Sequence, residues 1–245
     1  MRLIYSSLLV SSLLFGYYGK VEPYQTYNIK ADISGKVVEV NKSAEGSFYK
    51  GIVIKIDDYQ NKIDLKNSKI QLKNFENILK SQKEILKRKK RIYEVYKTLK
   101  TKSQLDKDLK FYDYQNSIIT LNQTKNTISN LKAQILKLED TISKKSISFK
   151  NYIYAIQINK GDYINLSAPI ATTMDLSKLK IEIYVPIDKI GSIKNKKIYI
   201  NDKISNFKVN KIYKVADSKY VTSYKVEIIG QYPKVSDIVK VEFKD

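Results

Sequence analysis

Residues 59–145 read YQNKIDLKNSKIQLKNFENILKSQKEILKRKKRIYEVYKTLKTKSQLDKDLKFYDYQNSIITLNQTKNTISNLKAQILKLEDTISKK and contain neither Gly nor Pro. Leucine and isoleucine recur in this stretch at heptad spacing, which predicts helix. In the first half, one column contains Leu65, Leu72, Leu79, Leu86 and Tyr93, and the column beside it contains Ile78, Ile85, Ile92 and Leu99. In the second half, the recurring positions are Leu121, Ile128, Leu131, Ile135, Leu138 and Ile142. The sequence therefore predicts two apolar stripes that can pack against each other.

A single helix over this stretch would be about 130 Å long, and its two stripes would have no partner within the chain. A break at Thr101-Lys102-Ser103 permits a hairpin with its tip near residues 100–104, because Ser103 can cap the second helix and Asp106 can return the bond. The two arms would then have about 43 and 41 residues, each about 60 Å long. The expected seam consists of Leu72, Leu79 and Leu86 on one arm and Ile128, Leu131 and Ile135 on the other. The same periodicity also fits a free coiled coil that dimerises through these stripes.

The composition limits the classes of function. The formal charge is +20, from 42 Lys and three Arg against 25 acidic residues. Such a charge suits nucleic acid or an anionic membrane surface, but the lysines are spread along the whole chain, so we expect no nucleic-acid partner. The chain has no Cys and no His, which excludes the usual zinc, haem and thiolate sites and the ordinary base of Ser and Cys nucleophiles. We therefore expect no enzyme, no cofactor and no metal site.

The N-terminal segment resembles a targeting sequence. Met1-Arg2 precede an uncharged stretch over residues 3–19 that is rich in leucine. This pattern predicts a signal peptide over residues 1–19, with a retained N-terminal anchor as the alternative. Gly16 and Gly19 are the small residues near a possible cleavage site. The mature chain is then expected outside the cytoplasm.

The segments on either side of the helical stretch have β patterns. Residues 28–57 alternate apolar and polar side chains around turns at Gly35, Gly46 and Gly51. Residues 147–175 repeat the scheme more weakly, with a turn at Gly161. From residue 177 to residue 245, several short alternating runs separated by polar turns predict a small antiparallel β-barrel, with a short helical turn at residues 187–193.

This order of segments resembles the HlyD family of periplasmic adaptors, also called membrane fusion proteins. In that family, a lipoyl-like sandwich is split into two half-motifs by a helical hairpin. The matching residues of the first half-motif are Ser34-Gly35-Lys36-Val37, Gly46, Lys50-Gly51 and Asp57. Those of the second are Gly161-Asp162-Tyr163-Ile164 and Pro169-Ile170, followed by the entry into the barrel at Asp175.

The resemblance implies an elongated α+β fold with four parts. These are the N-terminal segment 1–19, a split lipoyl-like β sandwich from residues 28–57 plus 147–175, an antiparallel α-helical coiled-coil hairpin over 59–145, and the barrel over 177–245. The lipoyl-like turns are Gly35, Gly46, Gly51, Asn151 and Gly161. Asn151 stands where the family has a turn glycine, and we expect it to have positive φ, which Asn adopts more readily than most residues.

The resemblance also implies a non-catalytic function. The chain would be a periplasmic, inner-membrane associated adaptor of a Gram-negative export system. It would link an inner-membrane transporter of ABC type to an outer-membrane channel, with several copies in a ring. The expected channel-contacting tip is Lys97, Lys100, Thr101, Lys102, Ser103, Gln104 and Asp106. Some channel-docking relatives have an Arg-Leu-Ser pattern, which is absent here, since the spacing from Arg91 to Ser103 is off by one residue and Val95 stands where Leu is expected. The alternative is a coiled-coil scaffold of the periplasm or cell surface, without a transport role.

Overall fold

Two long helices form the middle of the chain. In the computed structural model, which describes residues 16–216 and 219–245, α1 spans Tyr59–Thr98 and α2 spans Gln104–Lys144. Each is about 60 Å long. The two helices are antiparallel, because Lys69 forms an ion pair with Glu139 at 2.7 Å near one end, while the rings of Tyr93 and Phe111 lie 5.4 Å apart near the other. We refer to α1 and α2 together as the helix pair.

The seam of the helix pair is formed by two columns from α1, the Leu79 column and the column of Ser68, Phe75 and Gln82, and by the stripe of α2. Leu72, Leu79 and Leu86 of α1 are half-buried. The buried residues of α2 are Ser117, Leu121, Thr124, Ile128, Leu131 and Ile135. The contact between Tyr93 and Tyr114, together with the ion pair between Glu76 and Lys132, places Leu79 about level with Ile128.

The second apolar column of α1 is not buried, so its assignment to the packed stripe is wrong. Ile78, Ile85, Ile92 and Leu99 are all exposed. Successive residues of an α-helix differ in direction by about 100°, and two helices in contact share only a narrow seam. Packing through the Leu79 column therefore turns the Ile78 column toward solvent.

The strands form two sheets that enclose two separate cores. Their bounds are β1 Tyr17–Lys30, β2 Gly35–Val40, β3 Ile52–Ile56, β4 Ser146–Ser148, β5 Tyr152–Ile156, β6 Tyr163–Ile164, β7 Pro169–Pro186, β8 Lys197–Ile200, β9 Lys203–Ile204, β10 Lys208–Ile212, β11 Ser223–Gly230 and β12 Ile238–Lys244. One sheet has the order β10-β11-β7-β1-β12-β8-β9, with β5 also paired to β7, and the other has the order β4-β3-β2-β6. A 3-10 turn at Ile187–Lys189 and the short helix α3 at Ile190–Ile193 follow β7.

The helix pair joins the sandwich at the start of α1 and at the end of α2. Its buried residues come from both flanks of the helices and include Val37, Ile54, Ile56, Ile153, Ile156 and Ile170. β3 precedes α1, β4 follows α2, and the two strands are antiparallel neighbours with Lys55 opposite Ser146. Lys145 strengthens this junction, since its Nζ donates to the carbonyl of Asp57 and to Oδ1 of Asn61, each at 2.6 Å. The chain therefore leaves the sandwich and returns to it at adjacent points.

The strands β1 and β7 run through both cores, which the sequence did not predict. β7 continues unbroken across the expected boundary at residue 177, and β1 begins at Tyr17 instead of near residue 28. Residues 17–19, included above in the N-terminal segment, pair with β12. A Cβ on Gly19 would lie 2.4 Å from a methyl of Ile181, so this strand start fits closely against the barrel. Residues 1–15 of the expected signal peptide lie outside the described part of the chain.

The residues with positive φ in the second half of the sandwich are Gly161 and Ser167, and the expectation for Asn151 is wrong. Gly46 and Gly161 have φ of 72° and 98°, which glycine adopts without strain. Asn151 has no positive φ and lies in a bend before β5, whereas Ser167 has φ of 66°. The spacing from Gly161 to Ser167 is one residue longer than that from Gly46 to Gly51, which shifts the turn onto a serine. Its N–H donates to the carbonyl of Ala31 at 2.8 Å.

Among the barrel residues that the structure describes, a buried carboxylate lies on β12 outside the apolar core. Glu242 on β12 is only 1% exposed and lies between Lys240 at 2.8 Å and Lys244 at 2.9 Å. Bonding to Lys240 and then to Lys244 lowers the pKa of Glu242 to about 2, against the opposing effect of burial. The charged form of this carboxylate therefore stabilises the folded barrel.

We expect this stabilisation to be lost in acid. Because the folded-state pKa is below the ordinary value of 4.5, the contribution is fully present above about pH 4.5 and is lost as the pH falls toward 2. Glu242→Gln should lower the free energy of unfolding by about 1–2 kcal/mol at pH 7. The difference between the variant and the wild type should shrink at pH 3 when urea unfolding is measured at both values. A difference that is independent of pH would contradict this role.

Candidate functional site

The free end of the helix pair is a short, exposed connection. α1 ends at Thr98 and α2 begins at Gln104, so residues 99–103 form the turn. Lys97, Lys100, Thr101, Lys102, Ser103 and Gln104 are exposed, and Asp106 is half-buried. We call residues 97–106 the tip. The connection contains no glycine, and local hydrogen bonds at both helix ends hold it.

Ser103 caps α2 through its side chain, as the sequence predicted. Its Oγ accepts from the N–H of Asp106 at 3.1 Å. The returning bond differs from the expected one, because the Ser103 hydroxyl donates to Oδ2 of Asp106 at 2.9 Å. At the end of α1, the Thr98 hydroxyl donates to the carbonyl of Val95 at 2.9 Å. Both helix ends at the tip therefore satisfy backbone groups locally, which leaves the outer side chains free to meet a partner.

The tip is basic. Lys102 Nζ lies 5.4 Å from the centre of the Tyr96 ring, and Lys110 Nζ lies 5.8 Å from the same ring. Such cation–π contacts position a lysine without neutralising it. In the part of the chain that the structure describes, Lys97, Lys100 and Lys102 form no ion pair with a carboxylate. The outer surface of the tip therefore presents positive charge to a partner.

Carboxylates lie at the starts of both long helices. Asp57 Oδ1 accepts from the N–H of Tyr59 at 3.1 Å, and Asp58 forms an ion pair with Lys62 at 2.8 Å. At the other helix start, Gln104 Nε2 donates to Oδ1 of Asp108 at 2.8 Å. These contacts complement the positive end of each helix dipole. Among the described residues, no group of three or more potential metal ligands occurs.

A groove between the two cores was not anticipated from the sequence. It has a volume of about 710 Å³. Its lining residues include Pro23, Tyr152, Tyr154, Met174, Leu176 and Lys180. The groove lies where β1 changes register between Pro23 and Gln25. No sequence pattern marks it, since its residues come from strands far apart in the chain.

Within residues 16–216 and 219–245, no helix combines the length and the apolar composition that a membrane span requires. Both long helices contain several lysines.

Solved structures show which proteins share this architecture. MacA from Actinobacillus actinomycetemcomitans matches with a TM-score of 0.75 at 16% identity, over 94% of this chain and 78% of that one. The membrane fusion protein Spr0693 from Streptococcus pneumoniae R6 matches with a TM-score of 0.65 at 12% identity, over 94% of this chain and 100% of that one. A MacA-MexA chimeric protein that contains the MexA α-hairpin domain of Pseudomonas aeruginosa matches with a TM-score of 0.60 at 15% identity, over 94% and 81%.

These matches identify the class of fold. The chain has the fold of the membrane fusion proteins, or periplasmic adaptors, which the sequence motifs indicated. No protein-family model and no curated protein matches the chain at the level of sequence. At 12–16% identity, the structural likeness concerns the fold alone.

Proposed function

We propose that the chain is a periplasmic adaptor subunit of an export system, which links an inner-membrane transporter to an outer-membrane channel. Its role is structural and non-catalytic. The transporter is of ABC type, and several copies of the adaptor form a ring around the export path. In this arrangement, the sandwich is the split lipoyl-like domain, the helix pair is the adaptor hairpin, and the tip contacts the channel.

The observation that carries this proposal is the position of the helix pair within the fold. The start of α1 and the end of α2 are both joined to neighbouring strands of the sandwich. The tip lies about 60 Å away from this junction and has exposed, basic side chains. A rigid rod of this length can hold the tip and its partner at a distance from the sandwich and the barrel. The ion pairs Lys69–Glu139 and Lys132–Glu76 across the two helices support such rigidity near the base.

The length of the arms supports the ABC-type assignment. α1 has 40 residues and α2 has 41, which is close to six heptads in each arm. The family resemblance associates arms of this length with ABC-type exporters more than with proton-driven pumps. This step is an analogy within the fold class, and the neighbouring genes would provide an independent check, since an ABC exporter requires a permease and an ATPase.

A photocrosslinking experiment in the native host tests the channel contact. The photoreactive amino acid p-benzoylphenylalanine is placed at Thr101 in the tip, or at Lys80 in the middle of α1 as the matched control. We expect the tip position to crosslink to an integral outer-membrane protein, identified by mass spectrometry, and the control position not to do so. Crosslinks from Thr101 only to further copies of this chain would instead favour the coiled-coil scaffold.

A further inference from the structure

The groove between the two cores has a floor that three strands form. Tyr152 on β5 and Thr26 on β1 both lie opposite Met174 on β7, so these three side chains form a row on one face of the sheet. Ile153, between Tyr152 and Tyr154, is fully buried in the sandwich core, and neighbouring residues of a strand point to opposite faces. The floor of the groove is therefore the outer face of the sheet.

The groove lies where β1 and β7 lose their regular pairing. Gln25 is opposite Asp175 and Pro23 is opposite Leu179, so β7 has three residues where β1 has one. Extra residues in one strand bend it and change the direction of its side chains. Leu176, the first of the three, lines the groove together with Pro23. The irregular pairing thus adds apolar side chains to the floor.

A loop of the barrel forms the wall of the groove. Between β11 and β12, the chain runs beside β1, because the N–H of Val21 donates to the carbonyl of Asp237 at 2.8 Å. The N–H of Ser236 donates in turn to the carbonyl of Val21 at 2.7 Å. These bonds hold Val235, which is 37% exposed, at the edge of the groove. Residues of both the sandwich and the barrel therefore line it.

The size and the lining of the groove are those of a small-molecule site. Its volume of about 710 Å³ lies within the range of roughly 300–1,000 Å³ that ligand pockets have. The groove is elongated, since Lys20 and Thr26 both line it and lie about 20 Å apart on the extended strand β1. Tyr154 is 60% exposed and forms no hydrogen bond or aromatic contact within the described residues. Its ring, with the half-buried Met174 and Leu176, is apolar surface that a ligand can cover.

One cation of the groove has no carboxylate partner. Lys180 forms ion pairs with Glu22 at 3.9 Å and with Glu182 at 3.3 Å, and Lys225 pairs with Glu182 at 3.4 Å. The charges of these two lysines and two glutamates balance. Lys20 forms no ion pair within the described residues, so the groove has an excess of positive charge. The formal charge of +20 on the whole chain favours ligands of the opposite sign as well. The lining therefore suits an anion.

We propose that this groove, which we call the inter-core groove, binds an elongated amphipathic anion with a hydrocarbon or aromatic body and one carboxylate. The body packs against Tyr154, Met174 and Leu176, and the carboxylate lies beside Lys20. Burial of the apolar body supplies the larger part of the affinity, and the lysine selects the sign of the charge. This binding does not depend on the adaptor assignment, because only residues that line the groove take part in it.

Two fluorescent probes with the same body and opposite charges test the inter-core groove on the full chain. The anionic probe is dansylaminoundecanoic acid, and the cationic probe is dansylaminoundecylamine. The dansyl group becomes more fluorescent when it leaves water, so a titration gives the dissociation constant of each probe. We expect the acid to bind at least about tenfold more tightly than the amine, because only the acid can pair with Lys20.

Single substitutions separate the two parts of the site. Tyr154→Ala should weaken binding of the acid about tenfold, because the contact with the ring is lost. Lys20→Glu should weaken the acid by a similar factor and strengthen binding of the amine. Tyr163→Ala and Lys203→Glu are the matched controls, since both residues are exposed and lie outside the groove, and they should leave binding unchanged. Thermal unfolding of every variant verifies that it is folded.

Vesicles of phosphatidylglycerol and phosphatidylcholine distinguish two sources of such an anion. Cosedimentation of the chain with the vesicles, if Tyr154→Ala and Lys20→Glu remove it, would assign the anion to a membrane lipid. Binding of the acidic probe without such cosedimentation would assign it to a free molecule. Either result supports an amphipathic anion as the ligand of the inter-core groove.

Three results would overturn the proposal. These are equal binding of the acid and the amine, binding of the acid that Tyr154→Ala does not weaken, and an unchanged preference after Lys20→Glu. Sedimentation equilibrium of the chain alone addresses a second copy as the occupant. Self-association that Tyr154→Ala combined with Lys20→Glu removes would assign the inter-core groove to an interface between copies instead.

Discussion

Ile128→Asp should unfold the helix pair at markedly lower urea concentration than the wild type requires. Ile128 is buried in the middle of the seam with 8% exposure, about level with Leu79. The substitution removes its packing and places a carboxylate in a seam of apolar side chains. The combined loss should lower the free energy of unfolding by about 3–5 kcal/mol. Urea unfolding monitored by circular dichroism at 222 nm reports this loss directly, because the two long helices dominate the signal.

Ile119→Asp is the matched control for this prediction. It makes the same chemical change on the same helix, but Ile119 is 53% exposed. We expect its free energy of unfolding to remain within about 0.5 kcal/mol of the wild-type value. Equal destabilisation by the two substitutions would show that α2 does not pack through the Leu121, Ile128 and Ile135 stripe.

The register of the helix pair is tested by crosslinking within one chain. Leu79→Cys combined with Ile128→Cys creates the two cysteines of an otherwise cysteine-free protein. Because these positions are about level in the antiparallel pair, we expect oxidation to yield a monomeric species that migrates differently from the reduced one. Leu79→Cys with Ile142→Cys is the control, since Ile142 lies two heptads nearer the base. Crosslinks that join only different chains would support the free coiled coil instead of the hairpin.

The helices could be predicted from the sequence, but the face of α1 that packs against α2 could not. Heptad spacing identifies both the Leu79 column and the Ile78 column as apolar, and the two are adjacent on the helix. Which of them is buried depends on the orientation of α1 against α2, and both helices are connected to the paired strands β3 and β4. A local pattern does not contain this information. The uncovered column was therefore counted in the apolar stripe of α1, although the structure leaves it exposed.

In the two sheets, too, contacts between distant segments could not be predicted from local sequence patterns. Residues 17–19 end an uncharged N-terminal stretch, so their local pattern resembles the end of a targeting segment. They form a strand because β12 and β7 lie on either side of them, more than 150 residues later in the chain. The turn residues were easier to predict where glycine is present. At Ser167, the backbone conformation is set by spacing and by the bond to Ala31, and the residue type alone does not reveal it.

Charge reversal at the tip should have a large effect on export and almost none on the stability of the fold. Lys97→Glu, Lys100→Glu and Lys102→Glu in one variant should reduce export to the level of cells that lack the gene. The three lysines are exposed and form no ion pair within the described residues. Their reversal should therefore change the free energy of unfolding by less than about 1 kcal/mol. The same change replaces a basic contact surface by an acidic one, which a channel with a complementary acidic surface would repel.

The control for the tip variant must reverse as much charge without breaking ion pairs. Lys69 and Lys144 near the base are unsuitable, because they pair with Glu139 and Asp140. Lys66→Glu, Lys73→Glu and Lys80→Glu in one variant change three exposed lysines of the same helix that have no such partner in the described structure. Export is measured as resistance to a compound to which deletion of the gene sensitises the cells, with protein abundance verified by immunoblot. We expect the control variant to restore resistance and the tip variant not to restore it. Equal resistance at equal abundance would mean that the positive charge of the tip does not contribute to docking, and that α1 and α2 act only as a spacer.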